Sequence, residues 1–141
     1  MLHTFIFDLD GTTVNSDHRL GETLADWRRM NTPANIMRDT PLPLAEQMRQ
    51  AIRVWSHATG MVAPFILSRN ISYNRPAVEY KLARLHELAV VRRVSFRDLA
   101  ASIVMWDDDS DVQQTLENAG VRVIDPVGYN HQSMSQKEAN Q

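Results

Sequence analysis

The sequence contains no cysteine, which excludes disulfide bonds and thiolate metal sites. It has only five glycines and six prolines, and no stretch has the glycine- and serine-rich composition of a flexible linker. No apolar run approaches the roughly 20 residues needed to cross a bilayer, and no signal-peptide pattern is visible. Aromatic residues make up 7% of the chain and do not alternate with basic residues as in proteins that stack bases. These absences predict a cytoplasmic protein without membrane contact.

The net charge, the composition and the length of the chain are those of an ordinary globular protein. The formal net charge is −2, so the chain as a whole has no electrostatic attraction to nucleic acid or to an anionic membrane. Hydrophobic residues account for 43% and charged residues for 23% of the chain, as in ordinary globular proteins. The 141 residues suffice for one domain with a real core.

Apolar runs alternate with amphipathic segments along the chain. Strands are predicted over 2–9, 61–67, 89–94, 102–106 and 121–124, and helices over 21–30, from 42 to a stop at Gly60, from Pro76 onward, over 96–100 and over 112–118. This alternation predicts an α/β fold with a doubly wound parallel sheet. We expect one domain over residues 1–128 and a disordered tail over 129–141, because the last residues are polar.

Two acidic clusters follow predicted strands directly. Asp8 and Asp10 come after the first strand, and residues 107–109 come after the strand that ends at Trp106. Ligands of open parallel sheets bind outside the carboxyl ends of the strands, so the fold would bring both clusters to one edge. Several carboxylates close together repel one another unless a cation offsets their charge. Because all the available ligands are oxygens, we expect this cation to be Mg²⁺. A carboxylate facing a phosphate can attack phosphorus and form an aspartyl-phosphate. The alternative is that these acids solvate loop ends.

The segment FDLDGTT (7–13) resembles the first motif of the haloacid dehalogenase superfamily, in which an apolar strand is followed by Asp-x-Asp-Gly-Thr. The resemblance implies that Asp8 is the nucleophile and Asp10 the general acid and base. IVMWDDDSD (103–111) resembles the fourth motif, whose paired acids hold Mg²⁺. It implies a metal site of Asp8, Asp107 and Asp108 with the main-chain carbonyl of Asp10. Asp111 is a further candidate ligand, and Asp109 is expected to be a helix-start acid.

The second and third motifs of the superfamily bind the phosphate. In FILSRN (65–70), Ser68 has the position of the second-motif hydroxyl. Lys81 is the preferred third-motif cation, and Arg93 and Arg97 are the alternatives. The segment over 67–85 matches either the second-motif strand and helix or the stretch that carries the third-motif lysine. If Lys81 belongs to the third motif, the sheet lacks a standard element.

The insertions that form a cap domain in this superfamily are short here. About thirty residues separate Asp10 from the helix predicted near Leu42, so we expect minimal or no cap. An open site favours large substrates or a cap supplied by a partner chain.

Most of the chain is similar to the phosphatase half of polynucleotide kinase-phosphatases, including short bacteriophage relatives. The features that carry this similarity are FDLDGTT, the DTPLPL segment (39–44) and WDDDSDV (106–112). It implies a Mg²⁺-dependent phosphatase acting on a nucleotide or a nucleic-acid 3′-phosphate. The alternative is a catalytically impaired binding or interaction module of the same fold.

Overall fold

The computed structural model describes residues 3–61 and 75–140. In these residues the elements are β1 (Thr4–Phe7), β2 (Val14–Asn15), a 3₁₀ turn (Asp17–Arg19), α1 (Leu24–Met30), α2 (Pro33–Ile36), β3 (Thr40–Pro41), α3 (Leu44–Thr59), α4 (Ala77–Arg92), α5 (Phe96–Ala101), β4 (Ile103–Trp106), α6 (Ser110–Asn118), β5 (Arg122–Ile124) and α7 (Val127–Ala139). None of the described helices is long and apolar enough to cross a membrane.

The chain divides into two compact units. The first unit comprises Met1–Asp8 and Ser72–Pro126, and the second comprises Leu9–Ile71 and Val127–Gln141. The boundary near the N-terminus therefore separates Asp8 from Leu9. The two aspartates of the first acidic cluster belong to different units.

In the described residues, the first unit contains a parallel sheet of three strands in the order β1-β4-β5. Phe7 pairs with Trp106, and Trp106 pairs with Ile124, so all three strands reach the same edge in register. The short connection through α6 joins β4 to its parallel neighbour β5, as a βαβ unit requires. The protein is thus mixed α/β with a parallel sheet, in agreement with the sequence prediction at this level.

The core of the first unit lies between this sheet and α4, α5 and α6. Residues of β4 alternate in exposure, because Ile103 and Met105 are buried while Val104 and Trp106 are half-buried. The buried side chains that form the core are Leu85, Ala89, Leu99, Ala100, Ile103, Met105, Val112, Leu116 and Val121. This packing holds β4 in the middle of the sheet.

The second unit contains α3, α7 and the short antiparallel pair of β2 with β3. Helix α3 ends at Gly60, whose φ of 69° is the left-handed conformation that favours glycine at a helix stop. The side chain of Asn130, on α7, accepts a hydrogen bond from the Leu44 amide at 2.9 Å and donates one to the Thr12 carbonyl at 3.0 Å. This buried amide thus links α7, the start of α3 and the turn before β2.

Two sequence predictions were wrong in the described residues. The predicted strand over 89–94 is instead the end of α4, because Ala89 faces the core at helical spacing from Leu85, and the helix stops at Arg93 with φ 56°. The predicted disordered tail over 129–141 forms most of α7, and its Asn130 is buried. The sequence of α7 gives little helical signal, because a mostly exposed helix needs few apolar residues and so shows no clear apolar periodicity.

Other predictions of elements were confirmed. The strands β1, β4 and β5 and the helices α3, α5 and α6 lie where the sequence placed them. Ser95 caps α5 by accepting a hydrogen bond from the Asp98 amide, at the start of the helix predicted over 96–100. The strand predicted over 61–67 falls on residues 62–67, which lie outside the described part of the chain.

Candidate functional site

The carboxyl ends of β1 and β4 position two aspartates of the first unit. The Asp8 amide donates to the Trp106 carbonyl at 3.0 Å, and the Asp107 amide donates to the Ile124 carbonyl at 3.3 Å, which continues the ladder of the sheet beyond each strand. The preceding side chains, Phe7 and Trp106, stack with their ring centroids 4.5 Å apart. The strand ends are therefore held side by side, with Asp8 and Asp107 immediately after them.

Three carboxylates of the first unit converge at this edge. Asp8, Asp107 and Asp108 each offer an oxygen, and these oxygens lie within 4.8 Å of one another. Asp107 is fully buried, and the Asp8 side chain is 24% exposed. Carboxylate oxygens at this spacing could hold a metal ion.

Lys81 provides a positive charge at the same place. Its Nζ lies 2.9 Å from Asp8 Oδ1 and 2.5 Å from Asp107 Oδ2. Lys81, Leu85 and Ala89 follow one another at four-residue intervals on α4, so the lysine shares the face that packs on the core. The helix therefore presents this lysine inward, and its side chain is 20% exposed.

Burial and charge shift the protonation equilibria of these groups. The pKa of Asp8 is raised to about 6, chiefly by burial; the Lys81 charge opposes this shift and the Asp107 charge adds to it. Burial also raises the pKa of Asp107 above its usual value, although the hydrogen bond from Lys81 opposes the shift. Burial alone would lower the pKa of Lys81, but the charge of Asp8 and the hydrogen bond with Asp107 outweigh it and raise that pKa.

The start of α6 fixes the loop that carries Asp107. Asp107 Oδ1 accepts a hydrogen bond from the Asp109 amide at 3.1 Å, and Gln113 Nε2 donates to the Asp107 carbonyl at 2.8 Å. Asp109 is the N-cap of α6 and accepts from the amides of Asp111 and Val112. Its prediction as a helix-start acid is confirmed. The cap sets the direction in which the chain leaves β4 and thus supports the Asp107 side chain.

Asp10 lies in the second unit, at the start of a tight turn. The Leu9 carbonyl accepts hydrogen bonds from the amides of Thr12, Thr13 and Val14, and Gly11 allows this turn with a φ of 72°. The Asp10 carboxylate accepts a hydrogen bond from Arg19 Nη2 at 2.5 Å, and its side chain is 51% exposed.

Arg19 belongs to a buried polar network that the sequence analysis missed. Its side chain is 5% exposed and also donates to both carboxylate oxygens of Asp39, at 2.7 and 2.5 Å, and to Asn31 Oδ1. The hydrogen bond with Asp39 raises the pKa of Arg19, and the same contact lowers the pKa of Asp39. These residues come from separate loops with no periodic spacing, so no sequence pattern signals their contact.

The remaining residues that the sequence predicted for the site have no described contact with the three carboxylates or with Lys81. Ser68 lies outside the described residues. Arg93 and Arg97, the alternatives to Lys81, are exposed. Asp111 is exposed in the first turn of α6 and is outside the group of three carboxylates.

Comparison of the chain with protein-family models, with curated proteins and with solved structures found no match.

Proposed function

We propose that this chain is a Mg²⁺-dependent phosphomonoesterase of the haloacid dehalogenase type, with a doubly wound sheet and minimal or no cap. It would act on a nucleotide or a nucleic-acid 3′-phosphate through an aspartyl-phosphate. The observation that carries the proposal is the convergence of the Asp8, Asp107 and Asp108 carboxylates within 4.8 Å, with the Lys81 ammonium on Asp8.

A structural role explains this group poorly. Three carboxylates and one ammonium leave two net negative charges at a largely buried edge of the sheet. The raised pKa of Asp8 means that the ionised carboxylate is less favourable in the folded protein than in the unfolded chain. Ionised Asp8 therefore lowers the stability of the fold. Strongly perturbed carboxylates with a specific charged neighbour are typical of functional sites.

The donor set fits Mg²⁺, which Asp8, Asp107 and Asp108 would hold. The ion would supply positive charge to the phosphoryl oxygens and to the attacking carboxylate. Lys81 would neutralise Asp8 and a phosphate oxygen from the side of α4. Ser68 stays a prediction for a further phosphate contact.

The resemblance assigns the steps to two aspartates. An Asp8 oxygen forms a bond to phosphorus while the bond from phosphorus to the leaving oxygen breaks, and the leaving oxygen takes the proton of Asp10. Water then forms a bond to phosphorus, the bond to Asp8 breaks, and Asp10 takes a proton from that water. Asp10 has this role from the resemblance alone.

The test is phosphate release from nucleotides and 3′-phosphorylated oligonucleotides, with and without Mg²⁺. We expect turnover that requires the metal and that falls at least about a thousandfold in Asp8→Asn, because the amide cannot attack phosphorus. The matched control is Glu117→Gln, which neutralises an exposed carboxylate of the same unit and should leave turnover unchanged. Equal turnover in Asp8→Asn and the native protein contradicts the proposal.

The second candidate is a binding module that kept the fold and lost turnover. The ion pair of Asp10 with Arg19 favours it, because an acid that must donate a proton is here held against a permanent cation. Mg²⁺ binding to the folded native protein that Asp8→Asn weakens, without phosphate release from any substrate, would support this alternative.

A further inference from the structure

We propose that Gln113 is a positioning residue of the candidate metal site, and that it makes this site select Mg²⁺ over Ca²⁺. The proposal rests on the proposed function, because it takes Asp107 and Asp108 as ligands of a metal ion. It adds a residue that is not itself a ligand, and a physical basis for the choice between two ions. All the residues involved belong to the first unit.

The main-chain carbonyl of Asp107 is bonded to a side chain of α6. Asp107 follows Trp106, the last residue of β4 that pairs with β5. Gln113 Nε2 donates to this carbonyl at 2.8 Å. Because a carbonyl and the amide that follows it lie in one plane, the bond restrains the whole peptide between Asp107 and Asp108. It therefore restrains the direction in which the backbone of Asp108 begins.

The backbone that carries Gln113 is firmly held. Its amide donates to the Asp109 carbonyl at 2.9 Å, in the first turn of α6. Val112 precedes it and Leu116 follows about one turn later, and both are fully buried in the core of the first unit. The Gln113 side chain is itself half-buried. A donor with this support can hold the loop after β4 in one conformation.

The other polar groups of Asp107 have different partners. Its amide donates to the Ile124 carbonyl. Its carboxylate accepts hydrogen bonds from the Asp109 amide and from Lys81. These contacts orient Asp107 without involving its main-chain carbonyl. The bond from Gln113 thus acts on the link to the next residue, which these contacts do not restrain.

Mg²⁺ and Ca²⁺ differ in how strictly they require their ligands to be placed. Mg²⁺ requires near-ideal octahedral geometry with oxygens at about 2.0–2.1 Å, whereas Ca²⁺ accepts flexible arrangements of oxygens at about 2.3–2.6 Å. A restrained peptide between Asp107 and Asp108 limits the arrangements that their two carboxylates adopt. Loss of the restraint should therefore weaken the binding of Mg²⁺ more than the binding of Ca²⁺.

The first experiment compares Gln113→Met with the control Gln114→Met. Methionine has nearly the length of glutamine and the same charge, but its side chain cannot donate a hydrogen bond. The charge of the site therefore stays the same in both variants. Gln114 is exposed, and its amide donates to Asn118 on the same helix.

The Kd values of Mg²⁺ and of Ca²⁺ are measured by calorimetry on the folded proteins. We expect the Mg²⁺ Kd to rise about fivefold in Gln113→Met, as for the loss of one hydrogen bond, and to stay unchanged in Gln114→Met. The Ca²⁺ Kd should change by less than about twofold in both variants. An unchanged Mg²⁺ Kd in Gln113→Met, or an equal rise for the two ions, overturns the proposal.

The second experiment needs neither metal nor turnover. The Asp109 amide donates to Asp107 Oδ1 in the same loop, so its hydrogen exchange reports how well the loop is held. We expect this exchange to become about fivefold faster in Gln113→Met and to stay unchanged in Gln114→Met. The Met105 amide, on the central strand β4, should keep its protection. An equal loss of protection at Met105 would show a general loss of stability and overturn the positioning role.

The measurements separate the two ways of failing. Phosphate release that requires Mg²⁺, with the same Mg²⁺ Kd in the native protein and in Gln113→Met, overturns the positioning role and leaves the phosphatase. Mg²⁺ binding that is weakened in Gln113→Met, without phosphate release from any ester by the native protein, overturns the phosphatase and supports the positioning role.

Discussion

Lys81 occupies a position where a single charge affects both stability and metal binding. Its ammonium lies within ion-pair distance of Asp8 and Asp107, which are close enough to repel each other. Without a cation, these carboxylates would be less stable in their ionised form. The lysine thus stabilises the group when no metal is bound, and it would compete with a metal that bound the same oxygens.

Replacing Lys81 by methionine should therefore lower stability and increase the effect of Mg²⁺. We expect the free energy of unfolding to fall by about 1–3 kcal/mol without metal, because buried carboxylates lose their partner. Saturating Mg²⁺ should raise the Tm of Lys81→Met more than that of the native protein. The control is Lys137→Met, which removes the other lysine of the chain, an exposed one on α7. Equal Mg²⁺ effects in the native protein and Lys81→Met would contradict the competition.

Asp39 should contribute stability that depends on pH in a defined direction. Its pKa is lowered in the folded protein because Arg19 donates hydrogen bonds to it, although burial opposes this shift. The folded state therefore binds fewer protons at this carboxyl than the unfolded state. The contribution is complete above the unfolded value of about 3.9 and is lost as the pH falls through the lower folded pKa.

We expect Asp39→Asn to lower the free energy of unfolding by about 2–4 kcal/mol at neutral pH, because Arg19 loses a buried charged partner. The difference from the native protein should shrink as the pH falls below about 4, because the unfolded state then takes up a proton at Asp39 before the folded state does. Urea unfolding at several pH values measures both quantities. Asp17→Asn, at an exposed position of the same unit, should have little effect. A difference that stays constant from pH 7 to pH 3 would show that the ion pair is not its source.

At the scale of elements, α7 shows how one polar side chain can anchor a helix. Asn130 is 5% exposed, and its amide group bonds to the backbone of two other segments of the second unit. A helix of low overall hydrophobicity can be fixed by such contacts, because a buried backbone amide or carbonyl that loses its partner is costly.

Asn130→Ala should lower the protection of α7 amides against hydrogen exchange. The substitution leaves the Leu44 amide and the Thr12 carbonyl without this partner, at a cost of about 1–3 kcal/mol. We expect exchange of the α7 amides to become about 5- to 150-fold faster if they open together. His131→Ala, at an exposed neighbouring position, is the control. Unchanged protection of α7 in Asn130→Ala would mean that other contacts hold the helix.

Elements with a buried face were predictable from the sequence, and those with exposed surfaces were not. The apolar run of β4 and the spacing of Leu82 and Leu85 on α4 reflect the burial of these residues. Val90 and Val91, each 77% exposed, extended that apolar pattern and suggested a strand where α4 continues. The sequence pattern shows how apolar a segment is but does not show whether its residues are buried. Exposed apolar residues therefore led to a wrong prediction here.

At the scale of the whole molecule, the convergence of Asp8 with Asp107 and Asp108 was predictable because parallel strands end at one edge. That argument needs only the positions of β1 and β4. The network of Arg19, Asp39 and Asn31 was not predictable, because the residues lie in loops whose paths the sequence does not reveal. Topology thus predicts the part of a site at strand ends better than the part in loops.

Binding of Mg²⁺ should change protection in the unit that holds its carboxylates. Asp8, Asp107 and Asp108 all belong to the first unit, so we expect slower hydrogen exchange in β1, β4 and α6 when the metal binds. Asp108→Asn should weaken this effect, and Glu117→Gln should not. Protection of the first unit that is identical with and without Mg²⁺ at millimolar concentration would contradict the metal site.

The pairing of β1 with β4 also has a consequence for biosynthesis. Thr4 pairs with Ile103, so roughly a hundred residues must be translated before the first strand can meet this neighbour. At about 5–20 residues per second, β1 waits some 5–20 s on the ribosome for it. The carboxylate proposed as the nucleophile is thus made roughly a hundred residues before its two acidic neighbours, which follow β4.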